Sequence, residues 1–104
     1  MITTTTDSVP GRQIIEILGV VKGNTIRAKH IGRDIMAGFK HLVGGELKGY
    51  TEMITESRNQ AVKRMMKEAL DLKADAVVNI RFVTAEVMQG AAEVLAYGTA
   101  VKLK

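Results

Sequence analysis

Residues 51–103 decide the fold, because they combine one helical pattern with two strand patterns. They read TEMITESRNQAVKRMMKEALDLKADAVVNIRFVTAEVMQGAAEVLAYGTAVKL. In the first half, apolar residues recur at spacings of three, four or seven, which is typical of a helix buried along one face. This stripe contains Ile54, Ala61, Met65, Ala69 and Leu72, and it is widened by Val62, Met66 and Leu70. Polar residues fall opposite it, so the sequence predicts a long amphipathic helix.

Two strands are predicted after the break at residues 73–76. Residues 77–83 are rich in β-branched side chains, and Val78, Ile80 and Phe82 share one face at a period of two. After a turn around Gln89-Gly90-Ala91, residues 94–101 carry no charge, as expected of a strand covered on both faces. The last strand is therefore expected to be central in the sheet.

The first half of the chain predicts a further strand and a shorter helix. Residues 13–21 are predicted to form a strand with apolar side chains on both faces, and Lys22-Gly23-Asn24 is interpreted as a turn. Residues 25–29 fit either a short strand or an irregular bridge. Apolar spacing predicts a helix over residues 32–43 that ends at Gly44-Gly45. Residues 1–12, with their threonine run, are interpreted as an N-terminal arm.

Composition limits the class of protein. At 104 residues, 25% charged and 46% hydrophobic, the chain is expected to form a single domain over residues 1–104. It has no cysteine, which excludes disulfides, thiolate metal sites and thiol nucleophiles. The N-terminus lacks a basic segment followed by an apolar one, and no apolar run reaches membrane-spanning length, so a cytoplasmic location without membrane association is expected.

These elements predict an α+β fold: a two-layer sandwich with a small antiparallel sheet and helices on one face. Helices on one side cover only one face of that sheet, yet the first and last strands offer apolar side chains to both. A large exposed apolar patch is unusual on a soluble monomer. We therefore expect a homo-oligomer, in which other copies cover the second face.

The chain resembles the YbjQ-like family over almost its whole length. The resemblance is carried by Gly19-Val20-Val21-Lys22-Gly23, Gly32-Arg33-Asp34-Ile35, Gly44-Gly45-Glu46, Tyr50, Arg58, Ala74-Asp75-Ala76-Val77, Arg81-Phe82, Glu93 and Tyr97-Gly98-Thr99-Ala100-Val101. It implies a dodecin-like subunit with the last strand in the middle of an antiparallel sheet, and assembly into a ring, typically a pentamer. The family name refers to heavy-metal binding but implies no defined activity, since fold does not dictate function.

Metal binding is one hypothesis, and its ligands must come from histidines and carboxylates. His30, Asp34 and His41 share a face if the first helix begins early. The two histidines then lie about 16 Å apart at roughly 1.5 Å per residue, so one divalent ion cannot be held by both. His30 with Asp34, or a site between subunits, remains open, but solvated surface histidines are the favoured interpretation.

A second set of candidates is Glu46, Tyr50, Arg58 and Glu93, which the family motifs place beside glycines and apolar strands. They are interpreted either as the lining of a small-ligand pocket near Gly44-Gly45 or as structural residues. In the structural interpretation, which is favoured, Arg58 pairs with a glutamate across a subunit interface and Glu46 caps backbone amides.

Nucleic-acid binding and catalysis are disfavoured. Residues 22–48 hold six cations against two carboxylates, which accounts for the whole net charge of +4. A basic segment with few aromatic residues is usually a solvated face. Neither Ser8 nor Ser57 lies in a nucleophile motif. The sequence therefore predicts a non-enzymatic binding or scaffold protein, with metal-ion binding as the alternative.

Overall fold

The computed structural model describes residues 1–28, 42–43 and 46–104. Its elements are β1 (Ile2–Thr3), β2 (Ile14–Ala28), β3 (Leu42–Val43), β4 (Glu46–Leu47), α1 (Lys48–Asp71), β5 (Ala76–Met88) and β6 (Ala91–Leu103). Within the described residues, one sheet has the order β1-β5-β6-β2, and β3 pairs only with β4. The helix α1 packs mainly on β2 and β6. The fold is α+β, as predicted.

The long helix and the central strand are confirmed. The helix spans Lys48–Asp71 and buries Ala61, Met65 and Ala69 completely. The strand β6 lies between β5 and β2, as its uncharged run predicted. At the end of the helical stripe the prediction is wrong, because Leu70 and Leu72 are exposed to solvent. Ser57 is buried instead, since it lies one turn before Ala61 on the same face.

The predicted turn at residues 22–24 is wrong, because β2 continues without interruption to Ala28. Gly23 lies directly beneath the helix, where a Cβ atom would collide with the carbonyl oxygen of Ala61 and lie 2.7 Å from Cβ of Arg64. The glycine therefore allows a close approach of helix and strand and does not turn the chain. Two residues later, the Thr25 hydroxyl donates to the carbonyl oxygen of Ser57 at 3.2 Å.

A bulge in β5 overturns the expected common face of Val78, Ile80 and Phe82. Asn79 has a positive φ of 55°, and the register with β6 shifts between Val78 and Arg81. One extra residue in a strand exchanges the faces of the residues that follow it. Val78 consequently packs in a cluster with Val101, while Ile80 packs on the helix side of the sheet.

The N-terminal residues lie along the outer edge of β5. Ile2 pairs with Ala76 in parallel, which makes the sheet mixed where an antiparallel one was expected. The arm continues past β1, since the amide of Asn79 donates to the carbonyl oxygen of Thr6 at 2.9 Å. Val9 packs against a small cluster formed by Ala76, Val78, Val101 and Leu103. This arm therefore covers one end of the sheet face opposite the helix.

The predicted first helix lies almost entirely outside the described residues. Only its last two positions, Leu42 and Val43, are described, and they form β3, which pairs with β4. The helical prediction is wrong at these two positions. Their backbone instead pairs antiparallel with Leu47 and Glu46, in the segment leading into α1.

Asp75 connects the end of α1 to the end of β6. Its carboxylate accepts a hydrogen bond from the amide of Leu103 at 2.8 Å. It also forms an ion pair with Lys102 Nζ at 3.3 Å. Lys102 Nζ also donates to the carbonyl oxygen of Lys73 at 3.0 Å. The Leu103 amide, more than the Lys102 ammonium, lowers the pKa of Asp75 below its ordinary value of 3.8.

Because the pKa of Asp75 is lower in the folded chain, its contribution to stability is present above pH 3.8 and is lost as the pH falls through the folded-state pKa. We expect the wild type to lose more thermal stability than Asp75→Asn between pH 5 and pH 2, a range of about three units that brackets this titration. Unfolding followed by circular dichroism at a series of pH values measures the difference. Parallel curves for the two proteins would contradict the expectation.

Candidate functional site: the sheet face opposite the helix

The register of the sheet determines which side chains face away from the helix. Val21, Gly23 and Thr25 of β2 are buried beneath α1, so the residues between them point to the other side. Directly opposed residues of an antiparallel pair share a face. Lys22 is opposite Tyr97, and Tyr97 is opposite Arg81, so these three side chains form one row away from the helix.

We call the uncovered part of this side the open face. At one end, the N-terminal arm and Val9 cover Val78 and Val101. Beyond the arm, no described residue packs over the rest of this sheet face. The open face comprises Ile17, Val20, Lys22, Asn24, Ile26, Arg81, Val83, Ala85, Glu93, Leu95, Tyr97 and Thr99.

The open face exposes large apolar side chains from the strands on either side of β6. Ile17 is 71% exposed, Val20 70%, Ile26 61% and Val83 45%. Isolated exposed apolar residues are common, but a group on one continuous sheet face is typical of an interaction surface. This is the strongest indication of function among the described residues.

Charged groups on the open face are few and lack oppositely charged neighbours. The two cations, Lys22 and Arg81, flank Tyr97, whereas Glu93 lies four residues further along β6. Arg81 Nη1 donates to the carbonyl oxygens of Thr5 and Ile80, each at 2.9 Å. Glu93 accepts a hydrogen bond from Asn24 Nδ2 at 3.2 Å. Among the described residues, none of these three charges forms an ion pair.

The structure separates the predicted ligand-binding residues. Arg58 is an exposed residue of α1, whereas Glu93 points away from the helix, so within one copy these two lie on opposite sides of the sheet. Glu46 lies in β4, and Tyr50 lies in the first turn of α1. Arg58 borders a separate open groove of about 350 Å³ between α1 and the sheet, together with Ile54, Thr84, Ala85, Glu86 and Ala92.

The metal candidates are not brought together by any described part of the chain. His30, Asp34 and His41 lie outside the described residues. Over residues 1–28, 42–43 and 46–104, no three histidine or carboxylate side chains lie close enough to hold an ion. Within one copy, the described residues alone therefore do not assemble a metal site.

Sequence reasoning missed Lys22, Arg81 and Tyr97 as members of a common surface. The signal was the alternation in β2, which becomes informative only once residues 22–24 are recognised as strand and not as turn. The bulge at Asn79 then moves Arg81 onto the same side as Tyr97. Neither step follows from local sequence alone.

The described residues define a class of small α+β chain. A long helix packs on one face of a mixed sheet, and the other face exposes apolar side chains. The chain belongs to the YbjQ family, since the family model described as "Putative heavy-metal-binding" matches residues 1–104. It is 64% identical to a "UPF0145 protein" of Thermotoga maritima, covering 100% of this chain and 98% of that relative. A "UPF0145 protein" of Archaeoglobus fulgidus is 62% identical, with 100% and 96% covered.

A solved structure shares the fold. It is the crystal structure of a protein from Pediococcus pentosaceus, described as a protein of unknown function in the DUF74 family. The TM-score is 0.70 at 20% identity, covering 100% of this chain and 98% of that one. At this identity the likeness concerns the fold alone.

Among the described helices, none has both the length and the apolar character that crossing a membrane requires.

Proposed function

We propose that this chain is a homo-oligomeric binding or scaffold protein, in which the open face of each copy is covered by another copy. The observation that carries the proposal is the group of exposed apolar side chains on that face, above all Ile17, Val20 and Ile26. Fully burying one such side chain is worth roughly 1.5 to 3 kcal/mol. Several together offset much of the cost of association, which is about 4 to 15 kcal/mol.

The number of copies in the proposal comes from the family resemblance, which implies a ring, typically a pentamer. A ring requires a heterologous contact, in which a patch on one copy meets a different patch on the next copy. The open face offers one such patch. The relatives and the solved structure carry no description of a reaction, and no catalytic role is proposed.

Replacing Val20 with glutamate tests the proposal, because it introduces a charge in the middle of the exposed apolar group. We expect the wild type to contain several copies by native mass spectrometry, and Val20→Glu to contain fewer at the same concentration. Leu70→Glu is the matched control, since Leu70 is also exposed but lies on α1. A wild type that stays monomeric at micromolar concentration overturns the proposal.

The proposed binding role includes a small ligand, and the groove beside Arg58 supports it. Its wall includes the apolar Ile54, and Arg58 forms no ion pair among the described residues. Glu86 lies on the same wall, and a guanidinium and a carboxylate beside apolar surface suit a small organic ligand that carries both donors and acceptors. Glu93 belongs to the opposite side and is not part of this groove.

Metal-ion binding is the second candidate function, and only the description of the matching family model favours it. Its ligands would include His30, Asp34 and His41, within one copy or between copies. The same native spectra, recorded after addition of zinc, nickel or copper, report a bound ion as added mass. Unchanged mass with all three ions overturns this candidate.

A further inference from the structure

The open face carries charges of both signs at separate places. Lys22 and Arg81 lie on either side of Tyr97, about 10 Å apart given strand spacings of roughly 4.8 Å. Glu93 lies four residues from Tyr97 on the same strand and side, about 13 Å away at roughly 3.3 Å per residue. This separation is too large for an ion pair within one copy.

These charges lie among apolar side chains that the proposed assembly would bury. Ile26 is directly opposite Glu93, and Val83 is two residues beyond Arg81 on β5. A charge that leaves water without an opposite partner is strongly destabilising at an interface. Any partner that covers this surface must therefore supply a cation near Glu93 and an anion near Arg81.

Further copies of the chain meet both requirements. In a ring, one neighbouring copy brings its Glu93 to the cationic row and the other brings its Arg81 to Glu93, whereas a purely acidic partner would leave Glu93 unpaired. Arg81 is the better of the two cations for this contact, because its Nη1 is occupied by two carbonyl oxygens while the described contacts leave Nη2 for a carboxylate.

We propose that Glu93 of one copy forms an ion pair with Arg81 of the next, and that this pair sets how neighbouring copies are aligned. The inference rests on the proposed function, because it needs the open face of each copy to be covered by another copy. It adds the residues that determine the alignment of two copies. The hydrogen bond from Asn24 Nδ2 holds the Glu93 carboxylate in position for this contact.

Charge reversal tests the pair. We expect Glu93→Lys to raise the concentration needed for half assembly by about tenfold or more, because two cations then meet in a partly desolvated contact. Arg81→Glu is expected to have a similar effect. The double variant Glu93→Lys with Arg81→Glu restores the pair in reverse and is expected to recover most of the wild-type assembly. Sedimentation and native mass spectrometry across a concentration series measure it.

Two further variants separate assembly from folding. Glu86→Lys makes the same charge change on the helix side of the same sheet, opposite Ala92, and is expected to leave assembly unchanged. Glu93→Gln removes the charge but keeps an acceptor for Asn24, and is expected to weaken assembly less than Glu93→Lys while keeping the wild-type circular dichroism spectrum. It therefore reports on the pair even if the reversed variant fails to fold.

The outcomes distinguish this inference from the proposed function. If the wild type assembles and Glu93→Lys and Glu93→Gln assemble equally well, the ion pair is wrong and the homo-oligomer stands. If the double variant is no better than either single variant, the pair is also wrong. A monomeric wild type overturns both.

Discussion

Replacing Gly23 with valine is expected to lower the free energy of unfolding by about 3 kcal/mol or more, which is the upper range for overpacked sites. A Cβ atom at this position would collide with the carbonyl oxygen of Ala61 and the amide nitrogen of Met65, both of which are backbone atoms. Backbone atoms within a helix cannot move without moving the helix. The whole contact between α1 and β2 would therefore open.

Chemical denaturation of Gly23→Ala and Gly23→Val measures this effect, with alanine already expected to be strongly destabilising. Gly11→Ala is the control, since no atom lies within 4 Å of a Cβ built there. Gly11 has a φ of 78°, so its substitution costs only the strain of a left-handed backbone, about 1 to 2 kcal/mol. If Gly23→Ala were no worse than Gly11→Ala, the close approach of helix and strand would be wrong.

Replacing Met65 with alanine is expected to lower the free energy of unfolding by about 2 to 5 kcal/mol, the range for truncating a buried large side chain. Met65 is fully buried and belongs to the main cluster with Val21, Val77 and Val94. Its removal leaves a cavity between α1 and the centre of the sheet. These neighbours are held by the strand ladders and cannot collapse into the space.

Met88→Ala is the control for this prediction, because it removes the same atoms from a side chain that is 67% exposed. Its effect on the unfolding midpoint in urea is expected to stay within about 0.5 kcal/mol, as for other surface substitutions. Equal losses for Met65→Ala and Met88→Ala would show that the cluster around Met65 is not the core.

The sequence could indicate the candidate site only in part. Glu93 and Arg81 are among the residues on which the resemblance to the YbjQ-like family was based, and apolar residues on both faces of the first strand indicated that one face needs a partner. The side to which each residue points depends on where α1 docks. Arg58 and Glu93 were grouped as site candidates. The structure places them on opposite sides of the sheet, because Arg58 belongs to α1 and Glu93 lies on the face that α1 does not cover.

Local pattern was sufficient where one periodicity persists over many residues. It determined the long helix, whose apolar stripe recurs over more than five turns, and the central strand, whose uncharged run excludes an exposed edge. The composition determined the absence of thiol chemistry, since the chain has no cysteine. These properties depend only on neighbours along the chain.

Tertiary structure alone decided the features that depend on distant contacts. Gly23 continues a strand because Ala61 lies above it, although a glycine beside Asn24 locally favours a turn. Asn79 forms a bulge because its backbone amide donates a hydrogen bond to the carbonyl oxygen of Thr6 in the N-terminal arm. The bulge moves Arg81 onto the open face. In each case the partner lies tens of residues away, and its contact energy outweighs the small conformational preference of one or two residues.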